Sequence, residues 1–84
     1  MARGLAGDLG LDGKLRVNLD PLYLTTAERL IYGRGAEVYT PRGQTLGKVE
    51  GIVGTLDRPI AIVKLRRDSR QTATEMRGRE VFLG

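Results

Sequence analysis

Residues 45–65, TLGKVEGIVGTLDRPIAIVKL, change character too often to form one long element. Short apolar runs are interrupted by Gly47, Gly51, Gly54 and Pro59, residues that punctuate structure and weaken helix interiors. The segment therefore reads as two strands, 45–53 and 60–65, joined by the loop GTLDRP at 54–59. Gly47 and Gly51 predict bulges or sharp bends of the kind found at barrel corners. Leu46, Val49 and Val53 break a strict period of two, which also suggests a bulge. The run IAIVKL at 60–65 is the most apolar and is expected to be central.

The rest of the chain supplies partners for this hairpin. LRVNL at 15–19 alternates, with Leu15, Val17 and Leu19 on one face. AEVYT at 36–40 is a strand of β-favouring residues, and PRGQ at 41–44 turns it back into the strand at 45. GREVFLG at 78–84 is a last strand that should close the sheet. LYL at 22–24 and the residues at 29–32 are read as two further short strands. Thr25-x-x-Glu28 has the form of a helix capping box. The glycines at 33 and 35 leave little length for a stable helix, so a turn is preferred there. Residues 66–77 are polar and expected to be exposed. Residues 1–13 contain Gly4, Gly7, Gly10 and Gly13 and read as a flexible tail. The expectation is one domain over 14–84, an all-β barrel of six or seven short strands.

A chain of 84 residues has room for one small core, and with 5% aromatics that core must be aliphatic. Histidine and cysteine are both absent. The usual zinc sites, imidazole acid–base catalysis and thiol nucleophiles are thereby excluded. Ser69 is the only serine and has no histidine to activate it. The carboxylates are scattered, and the glycines form neither a phosphate loop nor a dinucleotide fingerprint. No enzyme, cofactor or metal is expected. The lack of cysteine fits a cytoplasmic chain, and no apolar run is long enough for a signal peptide or a membrane span.

Two features point to partners. Arginine dominates the basic residues, 11 of 14, in a chain of net charge +4. Arg58, Lys64, Arg66, Arg67, Arg70, Arg77 and Arg79 fall within 58–79. Arg66, Arg67 and Arg70 are candidates for contact with RNA or an acidic surface. Asp68, Glu75 and Glu80 are interleaved with them, as on an ordinary solvated face. Tyr23, Tyr32, Tyr39 and Phe82 are not interleaved with this cluster, so base stacking has little support. The second feature is the GTLDRP loop. Gly54 permits unusual backbone angles, and Pro59 stiffens the exit and extends Arg58. A rigid loop presenting Val53, Leu56, Pro59 and Ile60 would form a compact apolar protein-binding spot. In the competing reading Val53 and Ile60 fill the core and the loop is a connection.

Residues 36–65 resemble the Gar subunit of H/ACA ribonucleoproteins, whose pattern is roughly VYD-x-x-G-x-x-IG-x-V-x-DIFGPV-x-x-PY-x-x-V. Glu37-Val38-Tyr39, Gly43, Leu46-Gly47-Lys48-Val49, Ile52-Val53-Gly54, Pro59 and Lys64 follow that series. Gly78-Arg79-Glu80-Val81-Phe82 resembles the family's last strand, and Leu30-Ile31-Tyr32-Gly33-Arg34 resembles its LIVRG segment. The family's GPV is Gly54-Thr55-Leu56 here, its PYV is Pro59-Ile60-Ala61, and Gly51 replaces an aspartate. The resemblance implies a six-stranded split β-barrel of the translation-factor/reductase-isomerase type. It implies a non-catalytic subunit that docks on a dyskerin-type pseudouridine synthase, with only indirect relation to the guide RNA. Such a subunit modulates substrate loading and product release in pseudouridylation of ribosomal RNA. Ile52, Val53, Gly54, Thr55, Leu56, Arg58, Pro59 and Ile60 would carry the contact. The lack of Gly/Arg-rich tails is similar to archaeal members. A Naf-type assembly factor, a PRC-like barrel and a stand-alone RNA-binding barrel are the alternatives.

Overall fold

The structure is a computed structural model that describes residues 2–84. Six strands form a closed antiparallel barrel: β1 (Ala2–Leu9), β2 (Leu15–Leu19), β3 (Glu37–Tyr39), β4 (Thr45–Gly54), β5 (Pro59–Leu65) and β6 (Glu80–Leu83). Their order around the barrel is β1-β2-β5-β4-β3-β6. Helix α1 (Thr26–Tyr32) lies between β2 and β3, and helix α2 (Arg70–Glu75) between β5 and β6. The all-β barrel expected from short alternating segments is the fold observed.

Inward-facing residues follow from strand alternation. Leu15, Val17 and Leu19 of β2 meet Ala61 and Val63 of β5, Leu46 and Val49 of β4, Val38 of β3, and Val81 and Leu83 of β6 in one aliphatic core. The two bulges of β4 adjoin the glycines that predict them. The β4–β5 register shifts between Val49 and Gly51, and the β3–β4 register shifts where Gly47 faces Val38. The extra residue at Leu46 resets the phase of β4, which is why Leu46 and Val49 are both buried in the core although three apart.

Three expectations are corrected. First, residues 2–13 are not a tail. Residues 2–9 are strand β1, which pairs with both β2 and β6 and so closes the barrel. The domain boundary at 13/14 therefore falls away, and one barrel spans the described residues. The inward residues of β1 are Ala2, Gly4 and Ala6, all buried. A Cβ at Gly4 would run into the backbone oxygen of Asn18 on β2. Here glycine allows close strand approach, and the entropy argument for disorder gives way to tertiary pairing.

Second, residues 22–24 and 29–32 are not strands. A 3-10 turn covers Pro21–Tyr23, and α1 follows. The capping box is formed on both sides: Glu28 N donates to Thr25 Oγ1 at 3.1 Å, and Thr25 N donates to Glu28 Oε1 at 3.0 Å. Seven residues make a marginal helix in isolation. Here Tyr32 packs against the core and α1 contacts β4, so tertiary contacts supply what length cannot.

Third, 66–77 is not merely a polar exposed connection. A 3-10 turn (Arg67–Ser69) leads into α2; Ser69 is buried, and Ala73 of α2 is part of the aliphatic core. Ser69 Oγ donates to the Thr45 carbonyl at 3.3 Å, which ties this segment to the start of β4.

A candidate docking face at the β4–β5 loop

The β4–β5 ladder ends with Val53 opposite Ile60 and Gly54 opposite Pro59. Gly54 has φ +90, and a Cβ there would strike the Arg58 carbonyl oxygen, so the exit from β4 requires glycine. The loop then closes on itself. Arg58 N donates to the Thr55 carbonyl at 3.3 Å and to Thr55 Oγ1 at 3.1 Å. Pro59 opens β5, a position where the missing N–H costs no ladder bond.

The loop is also held from outside. Arg29 of α1 donates through Nη1 to the Thr55 carbonyl at 3.1 Å and through Nη2 to the Gly54 carbonyl at 3.5 Å. Helix and loop therefore form one unit. Four large apolar side chains on this unit face solvent: Leu30 is 66% exposed, Ile31 65%, Val53 49% and Leu56 69%. Leu5, Leu11 and Leu22 are exposed too, on β1, on the β1–β2 turn and in the 3-10 turn. Isolated apolar residues of that kind are ordinary. The four at the loop are distinguished by lying on two segments joined by a shared side chain.

The eight residues singled out from sequence divide accordingly. Val53 and Leu56 are exposed apolar groups, and Gly54, Thr55 and Arg58 are exposed around them. Ile52 and Ile60 are half-buried, with Ile52 packed against the core. Pro59 is buried and presents no surface; it fixes the loop from beneath. Leu30, Ile31 and Arg29 belong to the same unit, and the Thr25/Glu28 capping box was the signal that places them on a helix. Arg66, Arg67 and Arg70 are exposed at the other end of β5, away from this loop.

Electrostatics at α1 reinforce its geometry. The Thr25 backbone N–H and then its hydroxyl hold the Glu28 carboxyl below the usual range. Burial, followed by the nearby Glu28 charge, pushes the Tyr32 phenol up. The phenol donates to Glu28 Oε2 at 3.3 Å. Elsewhere, several carboxylates sit in surface ion pairs, among them Asp12–Arg16 and Glu50–Lys14. Among the described residues no group of three or more carboxylates is placed to hold a metal ion, and no helix is long and apolar enough to cross a membrane. No protein-family model matches the chain, and no curated protein and no solved structure matches it.

Proposed function

We propose that the chain is a non-catalytic subunit of an H/ACA-type ribonucleoprotein. It docks on a dyskerin-type pseudouridine synthase through the β4–β5 loop and α1, and it modulates substrate loading and product release during RNA-guided pseudouridylation of ribosomal RNA. The ordered resemblance over 36–65 supports this reading, as does the small closed barrel. The observation that carries it is the loop held by Arg29, with Leu56 and Val53 turned to solvent. A loop already fixed in the free protein loses little entropy on binding, so its apolar side chains can act as anchors.

Modulation needs no chemistry from this chain. A mobile substrate-gripping loop on the synthase has at least two states, and a docked barrel that touches one state better shifts the population toward it. The test is titration calorimetry of the synthase with wild-type chain and with Leu56→Asp. Wild-type binding and its loss in the variant support the proposal. Unchanged binding by Leu56→Asp removes the loop from the interface.

A further inference from the structure

A second face, at the opposite end of the β4–β5 hairpin, has the other kind of chemistry. Lys48 and Lys64 are direct cross-strand partners, and both are exposed. Like charges placed opposite each other in a ladder destabilise it. Glu37 offsets only one of them, 3.8 Å from Lys48 Nζ. Arg66 follows Lys64 by two residues and continues the ladder, its N–H donating to the Leu46 carbonyl at 2.9 Å. Beyond it, Ser69 N donates to the Arg66 carbonyl at 3.1 Å, and the buried Ser69 hydroxyl holds the turn to Thr45. Arg67 and Arg70 are thus carried on anchored backbone with their side chains outside.

Two surface depressions meet here. One is lined by Lys48, Lys64, Leu65 and Arg66, with Glu37 and Gly47. The other is lined by Leu65, Arg66, Arg67 and Arg70, with Gly13. They adjoin at Leu65 and Arg66, and this trough-like surface carries five cations and, among the described residues, a single lining carboxylate, Glu37. Arg66 is partly neutralised by Asp68, 3.5 Å from its Nε. Lys64, Arg67 and Arg70 make no ion pair among the described residues.

We infer that this trough binds the phosphate backbone of a nucleic acid without reading its sequence. The guanidinium fork matches a phosphate, and the trough offers several in line. Among the described residues no aromatic side chain lines it, so bases find no stacking platform there and the backbone is what is held. An acidic protein would need apolar anchors, and the half-buried Leu65 is the single aliphatic side chain among the described lining residues. The trough and the docking loop lie at opposite ends of β5, whose seven residues span roughly 20 Å at about 3.3 Å per residue. The two faces can therefore be occupied together, and this inference does not depend on the docking proposal.

The test is fluorescence anisotropy of labelled oligouridine with the full chain across a salt series. Three unpaired cations predict a slope of log K against log salt of about −2, from about −0.7 per neutralised phosphate on a single strand. The triple variant K64A/R67A/R70A should flatten that slope and weaken low-salt binding at least about tenfold. The variant R34A/R42A/R79A removes the same charge elsewhere and should keep the slope. All six residues are exposed, and circular dichroism checks that both variants fold. In the wild-type chain, amide shift changes on adding oligouridine should fall on 47–48 and 64–70. Absence of binding, equal loss in the two variants, shifts confined to 53–58, or competition by polyglutamate as strong as by unlabelled oligouridine would each overturn the inference.

Discussion

Arg29 and Thr55 are 26 residues apart in the chain, yet the Arg29 guanidinium donates to the Thr55 carbonyl at 3.1 Å. One side chain thereby joins a seven-residue helix to the tightest loop of the barrel. Replacing it with alanine removes the clamp while leaving the core untouched. Hydrogen exchange at residues 55–58 should accelerate in Arg29→Ala, and affinity for the proposed synthase partner should fall about tenfold, the equivalent of about 1.4 kcal/mol. Unchanged exchange in the loop would mean that the turn bonds of Thr55 and Arg58 suffice.

Gly54 tests the loop from the other side. With φ +90 and the Arg58 carbonyl in the path of any Cβ, Gly54→Ala should destabilise the chain by about 1–3 kcal/mol. Denaturant melts read this directly. A neutral result would show that the loop can relax at no cost.

The exposed and buried aliphatics should behave differently. Leu30→Asp on α1 alters a surface position, and its stability change should stay within about 0.5 kcal/mol while binding to the proposed synthase partner drops. Leu46→Ala empties part of the core, where Leu46 is fully buried, and should cost about 2–5 kcal/mol. Equal stability losses in the two variants would contradict the assignment of Leu30 to a docking face.

The α1 cap carries a pH dependence. Hydrogen bonds from Thr25 lower the Glu28 pKa in the folded chain below its ordinary 4.5. A depressed carboxylate contributes stability that is present above the unfolded value and is lost as pH falls through the folded one. The α1 amides should therefore lose exchange protection as pH drops below about 4.5, and Glu28→Gln should remove that dependence. Retained dependence in Glu28→Gln would assign it to another carboxylate, such as Asp12, which Arg16 and the Lys14 N–H hold at about 2.

Much of the barrel is legible in the sequence because its strands carry a signal of their own. Leu15, Val17 and Leu19 alternate, Ile60 to Val63 form an apolar run, and Gly47 and Gly51 mark the two bulges of β4. β1 is not legible, since its inward residues are Ala2, Gly4 and Ala6. Their small size answers a close approach to β2 that exists only in the folded barrel. α1 was announced by its capping box, but its length argued against it until Tyr32 and Arg29 found tertiary partners. For the candidate site, the loop itself could be read from glycine and proline. The helix beside it could not, because no local pattern links residues 29 and 55. The trough was half visible: the arginines at 66–70 stand out, whereas Lys48 joins them through cross-strand register.

Docking of this chain on a pseudouridine synthase by an apolar face, as proposed, can be measured by size-exclusion chromatography of the two proteins mixed without RNA at high salt, where ionic contacts are screened. Co-elution is expected. Separate elution, with RNA retained at low salt instead, would contradict it and leave the cationic trough as the functional face.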